Sequence, residues 1–129
     1  MNGLAQWYAY MKSHDHKALW DLLHPDAVFE SPVVHTPQRG RKLAAWYLGA
    51  AFHVFFNESF RYVREIVQDS NAVLEFEVTI DDILVNGVDM IAWNAQGEIT
   101  DFKVMLRPLK AINLIHQKMG QMLEASRKG

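Results

Sequence analysis

With 129 residues, half of them hydrophobic, the chain is long enough to bury a core of its own and needs no second domain. Thirteen basic residues against fifteen acidic ones leave a net charge of -2 and no basic stripe, which argues against nucleic acid as a partner. There is no cysteine, so disulfides and thiolate metal sites are excluded.

The N-terminal run MNGLAQWYAYMKSHDHK has neither the charged start nor the apolar stretch of a signal peptide. No apolar stretch reaches the ~18 residues of a membrane span, so a soluble, cytoplasmic protein is expected, with no membrane partner. Leu4, Trp7, Tyr8 and Met11 recur at helical spacing, as do Leu19, Trp20 and Leu23, predicting two short helices on either side of residues 13–15, with Pro25 ending the second. Residues 27–30 are a short strand candidate, and Pro32, Pro37 and Gly40 mark an extended loop. A third helix is predicted over 42–57. Its apolar residues run nearly all the way round, with Leu43, Trp46, Tyr47, Ala50 and Val54 on one side and Leu48, Phe52, Phe55 and Phe56 on the other. A helix with so little polar surface is covered on more than one face, and a second subunit is one candidate cover.

The second half reads as strands. Leu74, Phe76, Val78 and Ile80 alternate with polar residues, as do Phe102, Val104 and Leu106. Turn residues at 69–71, 81–82 and 94–97 divide this half into strands near 60–68, 72–81, 83–94 and 98–107, an antiparallel meander. Asn86-Gly87 is read as a bulge, because a turn there leaves too short a strand before it. After Pro108, Leu109, Ile112, Ile115, Met119 and Met122 form the stripe of a closing helix. The class is α+β, one domain over residues 1–129. Four Trp, four Tyr and seven Phe are many for this length and suit either a core or an apolar ligand cavity.

The stretch DAVFESPVVHTPQRG, residues 26–40, resembles the corresponding segment of ketosteroid isomerases and SnoaL-like polyketide cyclases, within the nuclear transport factor 2-like superfamily. VDMIAWNAQGEITDFKV, residues 88–104, is similar to the last two strands of that group. The resemblance implies a cystatin-like cone, N-terminal helices packed on a curved antiparallel sheet around an apolar pocket, here with an extra C-terminal helix.

It also implies roles, position by position. The isomerases' catalytic Asp, which precedes the Pro of the first strand, is matched by Ser31, and a hydroxyl does not replace a carboxylate base near neutral pH. Their first-helix oxyanion-hole tyrosine is matched by Trp7, which still donates through its indole N–H; Tyr8 lies one place on, about 100° round the helix. Their second oxyanion-hole donor, a carboxylic acid kept protonated by an apolar site, precedes the hairpin Gly by eight residues, as Asp89 precedes Gly97. The cyclases' base on the last strand is matched by Val104.

On periodicity alone, Asp89 shares a strand face with Ile91 and Trp93, and a carboxylate there is either buried with a partner or at a wet strand end. Family spacing favours the buried place, where desolvation raises its pKa. His35, in the loop, and His53, on the third helix, are the candidate bases, each also readable as a solvated surface residue. Glu30 alternates away from Ser31 and is not a substitute. His14 and His16 are two residues apart, which does not place two ligands on one helical face, so neither a metal nor another cofactor is expected. The expected pocket wall comprises Trp7, Met11, Trp20, Trp46 and Tyr47 from the helices. Phe29, Ser31, Phe76, Ile91, Phe102 and Val104 join them from the sheet side.

Two functions follow from these readings. One is an enzyme acting on a small, largely apolar carbonyl compound by enolate-type isomerisation or cyclisation; the other is a non-catalytic ligand-binding or dimerisation module. A homodimer is expected from the over-apolar third helix and the outer face of the meander.

Overall fold

The computed structural model describes residues 2–128, so the end residues 1 and 129 of the expected domain lie outside the described residues. Helix α1, Gly3–Ser13, starts where the Asn2 side chain accepts a hydrogen bond from the Leu4 backbone N–H at 2.8 Å and stops where His14 adopts a left-handed conformation. Asp15 caps the next helix, α2, His16–Leu22, in the same manner. That helix ends three residues before Pro25, which instead lies inside strand β1, Leu23–Glu30. The residue before a proline is biased to extended backbone, so Pro25 already excludes His24 from the helix. The first strand is accordingly four residues longer at its start than 27–30. Trp20, expected in the wall, turns outward at 41% exposure and packs under the Arg41 guanidinium.

A two-residue strand β2, Gln38–Arg39, leads into α3, Arg41–Phe55. The meander follows as β3, Arg61–Gln68, β4, Asn71–Ile80, β5, Ile83–Trp93, and β6, Ile99–Arg107, and α4, Leu109–Lys128, closes the chain. The sheet order is β2-β1-β6-β5-β4-β3, antiparallel except where β1 pairs with β6 in parallel. Alternation is strict on β4, where Ala72, Leu74, Phe76, Val78 and Ile80 are buried and their neighbours face outward. Asp81 and Asp82 both take positive φ, which a two-residue hairpin turn matched to the strand twist requires.

No bulge interrupts Asn86-Gly87. Both residues stay in register with Glu77 and Phe76 on one side and with Arg107 and Leu106 on the other, and the irregularity of β5 falls later, between Ala92 and Trp93. The glycine serves close approach instead: a Cβ there would collide with the Phe76 ring and, at 2.8 Å, with Leu106.

The two faces of α3 have different covers. Leu48, Ala51 and Phe55 look into the concavity of the sheet, and α4 packs across the opposite side, where the Trp46 indole N–H donates to Ser126 at 3.0 Å. The third helix is thus covered within the chain, and its apolar circumference no longer argues for a second subunit. Ile115 and Met119 of the expected α4 stripe are buried, with Ala111 beside them and Met122 packed against the core, whereas Leu109 is 71% exposed. An ion pair between Lys118 and Asp81 at 2.9 Å ties α4 to the β4–β5 turn.

Candidate functional site

Between α1, α3 and the concave face of β3–β6 lies a narrow cavity of about 50 Å³. Trp7 and Met11 come from α1, and Leu48, Ala51, Phe52 and Phe55 from α3, with Phe56 just beyond its end. The sheet contributes Tyr62, Phe76, Phe102, Val104 and one carboxyl, that of Asp89; Phe60 precedes β3. The lining is apolar apart from Trp7, Tyr62 and Asp89. Phe56 is its one exposed member at 39%, so the cavity opens beside that ring.

Asp89 is 6% exposed, the one charged residue type in the buried core among the described residues. Its place follows from the ladder, in which it pairs with Leu74 on one side and Val104 on the other and so points with them into the concavity. Tyr62 stands two strands away, opposite Phe76, and its long ring reaches across β4. Its hydroxyl donates to Asp89 Oδ2 at 2.7 Å and accepts from the Trp7 indole N–H at 3.0 Å. The direction is forced: an indole N–H can only donate, so the phenol's own hydrogen goes to the carboxyl.

The electrostatics follow from dryness. Burial pushes the Asp89 carboxyl up to about 7, with the Tyr62 hydrogen bond pulling the other way. The Tyr62 phenol is raised well above its usual value, first by burial and then by the Asp89 charge. Burial, and then Glu65 and Asp89, raise Tyr8 as well; its hydroxyl makes no hydrogen bond of good geometry among the described residues. Near neutral pH the site therefore offers a carboxyl in both protonation states, an indole N–H and a phenol, all in an apolar shell.

Of the expected wall, Trp7, Met11, Phe76, Phe102 and Val104 line this cavity together with Asp89. Phe29 and Ile91 are buried in the adjoining core, Phe29 against Tyr47 and Phe102 with ring centroids 6.1 Å apart. Trp20, Trp46 and Tyr47 lie outside it. Ser31 and His35 line a separate, wider hollow of about 600 Å³ beside β1 and β6, with Val104 as the shared wall, and the Ser31 hydroxyl accepts from the Val33 N–H. His53 is exposed and does not line the Asp89 cavity, its ring 6.1 Å from that of His16. Neither histidine expected to serve Asp89 faces it. Among the described residues no group of three His, Asp or Glu side chains converges to hold a metal.

Sequence reasoning missed Tyr62. Strand β3 carries an irregularity between Tyr62 and Arg64, which breaks the alternation that would mark its inward residue. Phe52, Phe55 and Phe56 were detectable as one face of α3, and only their assignment to the cavity required the fold.

The SnoaL-like domain family matches residues 4–102 of this sequence. The chain belongs to the SnoaL-like family. This SnoaL-like chain is 34% identical to a steroid delta-isomerase from Pseudomonas aeruginosa, with a TM-score of 0.90 over 98% of this chain and 93% of that one. It is 28% identical to an uncharacterised protein with a cystatin-like fold from Silicibacter pomeroyi, TM-score 0.80, covering 96% and 84%. A ketosteroid isomerase-like protein from Catenulispora acidiphila, solved in complex with trimethylamine, shares the fold at 14% identity and TM-score 0.62, covering 85% and 88%. Comparison with curated proteins gives no significant match. The expected class, helices on a curved open sheet of the nuclear transport factor 2-like type with a C-terminal helix, is the fold observed. Among the described residues no helix is long and apolar enough to cross a membrane.

Proposed function

We propose that this SnoaL-like chain binds a small, mostly apolar molecule through a carbonyl or enolic oxygen placed against Asp89. The observation that carries this reading is a buried carboxyl, raised to about 7, at the end of an apolar cavity. A protonated carboxyl in such a place donates a strong hydrogen bond to a ligand oxygen, as the general case of ketosteroid isomerase illustrates. At 50 Å³ the cavity is far below the ~300 Å³ of ordinary ligand pockets, so a steroid nucleus needs the opening at Phe56 to widen. Calorimetric titration with substituted phenols, which imitate an enol, tests the reading. Binding that is indifferent to Asp89→Asn sinks it.

A second reading is catalytic, favoured by the 34% identity to a steroid delta-isomerase. Ser31 and Val104 stand where the related enzymes carry bases, and Asp89 is the one carboxyl lining the cavity among the described residues. With both protonation states populated near neutral pH, Asp89 can take a proton from an α-carbon and return it to another, a one-group shuttle. Conversion of 3-cyclohexenone to its conjugated isomer, followed by ultraviolet absorbance, decides between the readings. A rate equal to that of Asp89→Asn leaves a binding module.

The convex face supports a homodimer. Ile66, Met90 and Met105 are exposed there, with Val73 paired to Met90 and Val88 to Met105. Sedimentation at micromolar concentration is expected to give twice 14.9 kDa, falling to the monomer in Met90→Lys; a wild-type monomer ends the idea. The cytoplasm remains the proposed location.

A further inference from the structure

A second hollow, of about 250 Å³, adjoins the cavity at its open end and is lined by His14, His16, His53, Phe52 and Phe56. Phe52 and Phe56 line both spaces, so this pair of rings is the partition between them. The rings stack with centroids 4.7 Å apart, and the His14 imidazole stands edge-on to each, at 4.9 and 4.7 Å. Phe56 follows the last residue of α3 and is held by a single backbone bond to Phe52, so it is the freer of the two. Adding the outer 250 Å³ to the inner 50 Å³ reaches the lower end of ordinary small-molecule pockets, about 300 Å³.

The outer hollow has a different chemistry from the inner one. Its three imidazoles come from three elements, the cap of α1, the first residue of α2 and the last turn of α3. Their ring contacts are aromatic: His14 meets Phe52 and Phe56, and His16 meets His53. The nearby carboxylates are occupied: Asp15 caps α2, Asp21 pairs with Lys17, and Asp81 pairs with Lys118, which lines the groove on the far side of His53. Imidazole N–H groups with no competing carboxylate in the hollow are donors suited to an anion.

We propose that the three-histidine hollow is the outer half of one binding site, that Phe52 and Phe56 are its movable partition, and that the ligand is an apolar molecule with a carbonyl or enolic oxygen at its inner end and a carboxylate at its outer end. The inference rests on the Asp89 reading above and adds the polarity and length of the ligand. Neither half alone accommodates such a molecule: the inner one is too small, and the outer one lacks the buried carboxyl that takes the ligand oxygen.

The test uses the whole chain and a series of 4-hydroxyphenyl alkanoates of increasing length, each compared with its primary amide by calorimetry. At one chain length the carboxylate is expected to bind about tenfold more tightly than the amide, the scale of one charge-assisted hydrogen bond. The exposed triple variant H14Q/H16Q/H53Q is expected to lose that preference, and circular dichroism reports its folding independently; a preference that persists in the folded variant overturns the outer half. Equal binding of carboxylate and amide at every length, with phenol itself still bound and still sensitive to Asp89→Asn, overturns the outer half and leaves the inner reading standing. Absence of any phenol binding removes both.

Discussion

Glu75 and Asp89 sit one step apart in the β4–β5 ladder, on opposite faces of the sheet, and they resolve the cost of a carboxylate in opposite ways. Glu75 points to the convex side, where Arg64 lies 3.3 Å away and the Asn86 amide donates at 3.0 Å. Asp89 points to the concave side, where among the described residues no cation pairs with it; a phenol donates to it, and burial raises its pKa to about 7. Water makes the difference. On the wet face a charge is kept and paired at little net gain, whereas on the dry face the charge itself is disfavoured and protonation removes it. A sheet with one dry face thus keeps a carboxyl partly protonated near neutral pH, with no cationic partner among the described residues.

The largest test of that contrast is steric. Phe76→Ala removes a ring wedged among Phe55, Phe60 and the Gly87 backbone and is expected to cost about 3–5 kcal/mol in urea denaturation. Met105→Ala on the convex face is expected to cost about 0.5 kcal/mol. Equal losses would erase the distinction between the faces.

The next test is pH. The folded chain holds the Asp89 proton up to about 7, whereas the unfolded chain releases it near the ordinary value of 3.8. Between those values the folded form binds more protons, so the contribution of this carboxyl to stability is fully present below about pH 4 and is lost as pH rises through 7, by up to about 4 kcal/mol. Asp89→Asn is expected to flatten this decline and to exceed the wild type in stability at about pH 8. Parallel urea curves for the two proteins at about pH 5 and pH 8 would place the carboxyl in water.

Smaller again is the effect of Tyr62→Phe. It strands the Trp7 indole N–H and Asp89 Oδ2, costs about 1–3 kcal/mol, and removes the one bond holding the Asp89 pKa down. Carboxyl-carbon NMR is expected to show Asp89 titrating higher in this variant; an unchanged midpoint separates the two groups. The smallest effect is Arg64→Ala, below about 0.5 kcal/mol, since Arg64 is 71% exposed. A larger loss there would mean that the convex face is not free in solution.

Much of the fold was legible because it is written locally. The alternation of Leu74, Phe76 and Val78 gives β4 and its faces, and Asp81-Asp82 gives the turn. Family spacing singled out Asp89, and the ladder places it within the concavity. Reading Asn86-Gly87 as a bulge failed because the need for glycine comes from the Phe76 ring on the neighbouring strand, which no local pattern encodes. His53 was misdirected for a similar reason: helical spacing gives a face, and only the packing of α4 and α2 decides which face meets the sheet.

The sequence by itself determined the helices, the meander strands and their order, since backbone periodicity and turn chemistry act over a few residues; the buried place of Asp89 was implied by the family resemblance and not by periodicity. Only the tertiary structure decided that Tyr62 reaches across a strand to that carboxyl, that α4 covers the far side of α3, and that three histidines from three elements share one hollow. Those facts depend on how distant segments approach one another, and curvature and register, rather than local pattern, set that approach.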